Sequence, residues 1–295
     1  SDYHIETKYV QAGYDPANGE PRIPPIVQST TFKYDSTEHM GRLFDLEESG
    51  YFYSRLANPT CDCVAKKIAE LEGGVAGMLT SSGQAAIMMT ILNLCGAGDH
   101  FISSSALYGG TFNLFAVTLK KLGVSVSFVR PDAGVDEIIS EVKENTKLIY
   151  GEMVANPAMS ILDLDVFVKA AHIVGVPLIV DNTFPTPILC RPLLMGADIV
   201  VHSTTKYLDG HAVGIGGCVI DSGNFEWNRY SERFPGLTQP DSSYHGIIYA
   251  SKFGSGAFIA KMTAQLMRDM GCSPSPMNAF LLNIGLETLH LRVPR

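Results

Sequence analysis

The chain has 295 residues, 46% hydrophobic and 18% charged, which supplies a sizeable core and excludes disorder as the main state. Its 22 Lys and Arg against 30 Asp and Glu leave a net charge of −8, which argues against nucleic acid as main partner, since phosphate backbones are gripped by surplus basic side chains. A membrane span fails on length: the longest apolar stretch, Ala85 to Gly98, is broken by Thr90 and Asn93 and is shorter than the roughly 20 residues a span needs. Ser1 to Glu20 carries charges and prolines where an export leader would have an apolar core, so the expected location is the cytoplasm. Residues 1–60 show no sustained helical period, and Pro24-Pro25 makes a stiff extended link. They read as an arm laid over something else, such as a neighbouring subunit.

From Cys61 the apolar spacing predicts a helix through Val64, Ile68 and Leu71, stopped by Gly73-Gly74. Strands and helices then alternate. Strands are expected at 76–80, 100–104, 124–129, 148–152, 178–181, 199–202 and 218–220, with helices at 84–94, 111–122, 135–143 and 165–174 between them. Near-continuous Val, Ile and Leu in the strands predict a largely parallel sheet covered on both faces. Residues 276–295 read as one helix still running at the last residue. The six cysteines, Cys61, Cys63, Cys95, Cys190, Cys218 and Cys272, are expected to be buried thiols, and no zinc-ligand spacing accompanies Cys61-Asp62-Cys63.

In such sheets ligands sit beyond the carboxyl ends of strands. Ser81-Ser82-Gly83-Gln84 lies between a strand and a helix, where free N–H groups favour a phosphate, although Ser and Gly are also ordinary capping residues. The fingerprints G-x-G-x-x-G and G-x-x-x-x-G-K-[ST] are absent from the sequence. Asp181 ends a buried strand and must find a cation or several donors; the plainer alternative is an anchor for Asn182 and Thr183. Asp198, at the start of the next strand, reads as a turn cap. Lys206 follows Val200-Val201-His202-Ser203-Thr204-Thr205 directly, so its amine either snorkels to the surface or loses hydration and becomes suited to a Schiff base. The glycines from Gly214 to Gly217 would permit close backbone approach nearby.

These residues carry a resemblance. Val180-Asp181-Asn182-Thr183-Phe184 followed by His202-Ser203-Thr204-Thr205-Lys206-Tyr207 resembles the pyridoxal-phosphate site of the Cys/Met-metabolism enzymes. Tyr53 to Thr60, Leu71-Glu72-Gly73-Gly74, Ser81 to Gln84, Leu107 to Thr111 and Ala155-Asn156-Pro157 match in the same order, so the resemblance runs through essentially the whole chain. It implies an α/β, aspartate-aminotransferase-like large domain (fold type I) with an N-terminal arm. It further implies that pyridoxal 5'-phosphate is held by Lys206, that Asp181 keeps its ring nitrogen protonated, and that Tyr108 stacks on the ring. Ser82, Gly83, Gln84, Ser203 and Thr205 resemble the phosphate cradle, and Asn156 the residue near the ring hydroxyl. Tyr53 and Arg55 resemble the pair that reaches the phosphate from a neighbouring subunit, in a homodimer or homotetramer with shared sites.

Phe234 to Asp241 and Tyr244-His245-Gly246 are similar to the branch of the family that acts on O-acetylhomoserine. The implied reaction is γ-replacement by sulfide or a thiol, the sulfur donor being free or protein-bound, which gives homocysteine or methionine plus acetate. A methionine γ-lyase or a cystathionine γ-synthase-type enzyme is the alternative, and a non-catalytic cofactor-binding fragment is an alternative of another class. Methionine γ-lyases carry a cysteine at the position of Gly110. The resemblance divides the chain into an arm, 1–60, and a cofactor domain, 61–295, ending in a linker helix. Family chains continue into a C-terminal domain bearing the arginine for the substrate carboxylate, so the expectation is that these 295 residues are a fragment. Arg191, Arg233, Arg268 and Arg292 offer no evident substitute.

Overall fold

The computed structural model describes residues 3–294. Seven strands, β1 (Ala76–Thr80), β2 (His100–Ser104), β3 (Ser125–Val129), β4 (Thr146–Glu152), β5 (Leu178–Asp181), β6 (Ile199–His202) and β7 (Gly217–Asp221), form one sheet in the order β1-β7-β6-β5-β4-β2-β3. Only β7 runs against its neighbours; the other pairings are parallel. Every residue of β2, β5, β6 and β7 is buried, and because alternate residues point to opposite faces, both faces of the central sheet are covered.

Helices α1 (Ile5–Gln11) and α2 (Thr37–Phe44) belong to the N-terminal segment, where no helix is expected from periodicity. Both are short, and α1 is stabilised by docking Tyr9, fully buried, rather than by its own pattern. Helix α3 (Pro59–Glu72) starts on Asn58, whose side chain accepts from the Thr60 and Cys61 N–H groups, and ends on Gly73 at φ +83°. It packs on β1 and β7. Helix α4 (Gly83–Leu94) packs against β6 and β7, and α5 (Gly109–Asn113) continues through a π turn, Leu114–Thr118. The short α6 (Val135–Ser140) and the longer α7 (Leu164–Val174) follow, α7 closed by Gly175 at φ +74° and packed on β4 and β5.

The final helix is two: α8 (Pro276–Glu287) breaks at Thr288 before α9 (Leu289–Arg292). All six cysteines are unpaired; Cys61, Cys95 and Cys218 are buried, whereas Cys63, Cys190 and Cys272 are only partly so. Asp198 is no surface turn cap. It is 4% exposed, accepts from the Leu178 N–H at 2.8 Å, and pairs with His172 at 3.1 Å. Among the described residues no helix is long and apolar enough to cross a membrane.

Candidate active site

Strands β1, β2, β4, β5 and β6 are mutually parallel, so their carboxyl ends lie along one edge of the sheet. Each expected site residue of the cofactor domain follows one of those ends. Ser82, Gly83 and Gln84 come after β1, Tyr108 after β2, Asn156 after β4, Asp181 ends β5, and Ser203, Thr205 and Lys206 follow β6. The topology therefore collects residues spread over 125 positions of sequence onto one rim.

The anion-binding part of that rim is built by close backbone approach. A Cβ on Gly83 would stand 2.5 Å from the Ser203 Cβ, so only glycine lets α4 begin against the β6 loop. Gly217 meets the Ser82 carbonyl just as closely, which draws β7 onto the same turn. Ser82 caps α4 by accepting from the Ala85 N–H at 3.1 Å. The N–H groups of Gly83 and Gln84 make no hydrogen bond to any described residue and stand at the positive end of the helix dipole. The Thr205 hydroxyl pairs with Gly216, at 3.1 Å to its N–H and to its carbonyl. The Ser203 N–H donates to the Thr183 hydroxyl at 2.8 Å.

Asp181 is 6% exposed, and its Oδ1 accepts from the Thr183 N–H at 2.9 Å and the Thr183 hydroxyl at 2.5 Å. Burial pushes its acid up; Thr183, the Tyr150 hydroxyl and the nearby His202 ring oppose that by favouring the anion. The structure shows the anchoring of Thr183, with both of its bonds falling on Oδ1 of a buried carboxyl. Lys206 is exposed, the surface position that is one of its two expected fates, with Thr204 and Leu208 buried on either side of it. Tyr108 is 51% exposed at the rim, with its ring against Gly110. An exposed amine, a desolvated carboxyl and a helix N-terminus with free N–H groups fit the aldehyde, ring nitrogen and phosphate of pyridoxal phosphate.

Tyr53 and Arg55 are not brought to this rim. Arg55 stacks on the Tyr53 ring at 5.1 Å and donates to the Arg268 carbonyl, while Tyr53 bridges to Thr31 within the arm. Arg268 and Arg292 are themselves held by backbone carbonyls; Arg292 donates to the carbonyls of Tyr207 and Gly285 and so ties α9 to the loop carrying Lys206.

Sequence reasoning passed over two groups. Glu72 and His202 form a fully buried pair at 2.6 Å, and the same Glu72 oxygen accepts from Asn182 at 2.9 Å. By strand alternation His202 points away from the face of Val201, the register partner of Asp181, so this cluster braces β5 and β6 from behind. Glu152 ends β4 as Asp181 ends β5. That shared signal, a carboxylate at a strand end, could have found it.

Fold and rim together define a cofactor-binding α/β domain of the aspartate-aminotransferase-like type. The family model described as Cys/Met metabolism PLP-dependent enzyme matches residues 6–295, and the chain belongs to that family. It is 45% identical over 99% of its length to a homocysteine synthase of Schizosaccharomyces pombe, covering 68% of that protein. It is also 45% identical over 99% of its length to an O-acetyl-L-homoserine sulfhydrylase of Corynebacterium glutamicum, covering 67% of it. The chain thus spans about two thirds of these relatives. Among solved structures it superposes with TM-score 0.95 and 32% identity on a Campylobacter jejuni protein described as an O-acetylhomoserine (thiol)-lyase, over 99% of this chain and 72% of that one. That structure carries N'-pyridoxyl-lysine-5'-monophosphate.

Proposed function

We propose that this protein replaces the acetate of O-acetylhomoserine with sulfide or a thiol, giving homocysteine or methionine. The observation that carries the reading is the convergence of Lys206, Asp181 and the Gly83–Ser203 cradle on one strand rim, in a family that depends on pyridoxal phosphate. Relatives named homocysteine synthase and O-acetyl-L-homoserine sulfhydrylase support the substrate class. Bound pyridoxal phosphate supplies an electron sink for the negative charge that develops at substrate carbon.

The chain's residues do the rest. The Lys206 Nζ would hold the cofactor; as a free amine it would take the proton at substrate Cα, pass it on, and take one at Cβ, so that acetate can leave from Cγ and sulfide or a thiol add there, after which protons return to Cβ and Cα. Asp181 would keep a proton on the ring nitrogen; the Gly83 and Gln84 N–H groups, with the side chains of Ser82, Ser203 and Thr205, would hold the phosphate, and Tyr108 and Asn156 would bind the ring. Gly110 favours the sulfhydrylase reading over a γ-lyase. A Cβ there would stand 2.5 Å from the Tyr108 ring, so the cysteine of the lyases would require that ring to shift. The arm, with Tyr53 and Arg55, completes the site of a neighbouring copy in a homo-oligomer. Six unpaired cysteines fit a reducing cytoplasm.

The test is one sample carried through two measurements on the full-length protein. Borohydride reduction and peptide mapping place the pyridoxyl mass on the Lys206 peptide, and O-acetylhomoserine with sulfide yields homocysteine much faster than methionine alone yields a ketoacid. A label on another lysine, or the reverse ranking of rates, overturns the reading.

A further inference from the structure

We propose that Glu152 is a positioning residue for this site: from one buried carboxyl at the end of β4 it sets the backbone of Tyr108 and stands beside Asp181. The inference rests on the reading of the rim as the cofactor site, and it assigns work to a side chain that would not itself touch the cofactor.

Glu152 and Asp181 are register partners on adjacent parallel strands, so their side chains leave the sheet on the same face, about 5 Å apart at the backbone. Glu152 is 7% exposed, and its Oε2 accepts from the Tyr108 N–H at 2.6 Å, the short distance of a charge-assisted bond. That bond closes over 44 positions of sequence. Tyr108 is the N-cap of α5 and makes no capping bond with its own side chain. Its ring is half exposed, so the backbone bond is what fixes the direction in which that ring leaves the chain. The Asn156 N–H also favours the Glu152 anion, while burial and the charge of Asp181 push its acid up to about 7. The residues assigned to the ring's face and nitrogen, arriving from the ends of β2 and β5, thus share one neighbour. A carboxyl of like charge beside Asp181 is costly when both are ionised, and such an arrangement persists where the geometry it imposes is used.

The test follows pyridoxal phosphate affinity of the cofactor-stripped full-length protein by absorbance titration, together with the visible circular dichroism of the bound cofactor, which reports ring orientation. Glu152→Ala should weaken binding about tenfold, the loss expected for one charge-assisted bond, and alter the dichroic band. Glu152→Gln, which keeps an acceptor oxygen at the same reach, should recover most of the affinity. In a double-mutant cycle Glu152→Ala should weaken binding far less in a Tyr108→Ala background, because the ring it positions is gone. Full additivity of the two substitutions, or a Glu152→Ala protein with unchanged affinity and an unchanged band, overturns the proposal. If Glu152→Ala does not fold, Glu152→Asp, one methylene too short, carries the same cycle and the same outcomes. Loss of binding by the unsubstituted protein would instead overturn the functional reading, and this inference with it.

Discussion

Asp221, at the end of β7, is 1% exposed. Its Oδ1 accepts from the Gly223 N–H at 2.9 Å, while Oδ2 has no partner among the described residues. Burial, with the charge of Asp198 adding to it, pushes the acid up to about 7 against the Gly223 bond. Between the unfolded value, about 4, and that folded value the native state holds a proton that the unfolded chain has released. This group therefore lowers stability as pH rises through that window and contributes no further change above it. His100 works with the opposite sign: buried between Thr146 and Ser127, its ring is pushed down to about 4, so it adds stability as pH rises from there to about 6.5. A pH profile of the native protein mixes the two, and only the difference between variant and parent isolates Asp221. Asp221→Asn should become more stable relative to the parent from pH 4 to 7, by up to about 4 kcal/mol, then run parallel to it. Urea unfolding at fixed pH values measures this, and a difference independent of pH would show that Asp221 is ionised throughout.

Helix α3 shows how one element joins arm to sheet. Its cap, Asn58, is 2% exposed; besides accepting from Thr60 and Cys61 it donates through Nδ2 to the Val27 carbonyl at 2.9 Å and the Ser54 hydroxyl at 3.0 Å. Thr60, the second residue of the helix, accepts from the Val27 N–H and donates to the Pro25 carbonyl. The stiff Pro24-Pro25 link is thereby pinned to the helix start. Asn58→Ala removes cap and tether together and should cost about 1–2 kcal/mol in chemical denaturation. Asn58→Asp keeps the cap acceptor, loses the donor and adds a charge at the favourable end of the dipole, so it should cost less. Equal losses from the two would mean that the cap contributes nothing. From sequence the helix itself was legible in the spacing of Val64, Ile68 and Leu71 and in the Gly73 stop. The tether was not, because Asn58 and Val27 are 31 positions apart and no local pattern joins them.

At the scale of the molecule the arm poses the main question. Tyr53 and Arg55 contact their own arm and the Arg268 turn, not the rim that holds Lys206. A guanidinium is suited to phosphate through its fork of donors and permanent charge. If the arm of one copy completes the site of the next, mixing Arg55→Ala and Lys206→Ala proteins, each inactive, should restore about a quarter to a half of the activity, since a hybrid pair retains one intact site. Subunit exchange is followed by mass; exchange without recovered activity would locate both residues in one chain's site.

What the sequence determined unaided was whatever rests on near neighbours. Strand runs such as Leu178 to Asp181 and the helix stop at Gly73 depend on a few consecutive residues and their backbone preferences, and they stand as read. The helix expected over 276–295 failed at Thr288, where the last turn instead docks through Arg292 on the Tyr207 and Gly285 carbonyls. Helix α1 has no side-chain cap of its own and is held by the burial of Tyr9, whereas α2 starts on a local cap, Ser36, whose side chain accepts from the His39 N–H. Only the tertiary structure decided that Lys206 faces solvent, that Glu72 and His202 meet behind the sheet, and that Glu152 stands beside Asp181 with the Tyr108 N–H in reach. The physical reason is common to all three. Strand register and helix docking choose which distant side chains share a desolvated space, and within that space a carboxyl, an imidazole or an amide must find partners that its own stretch of chain does not contain.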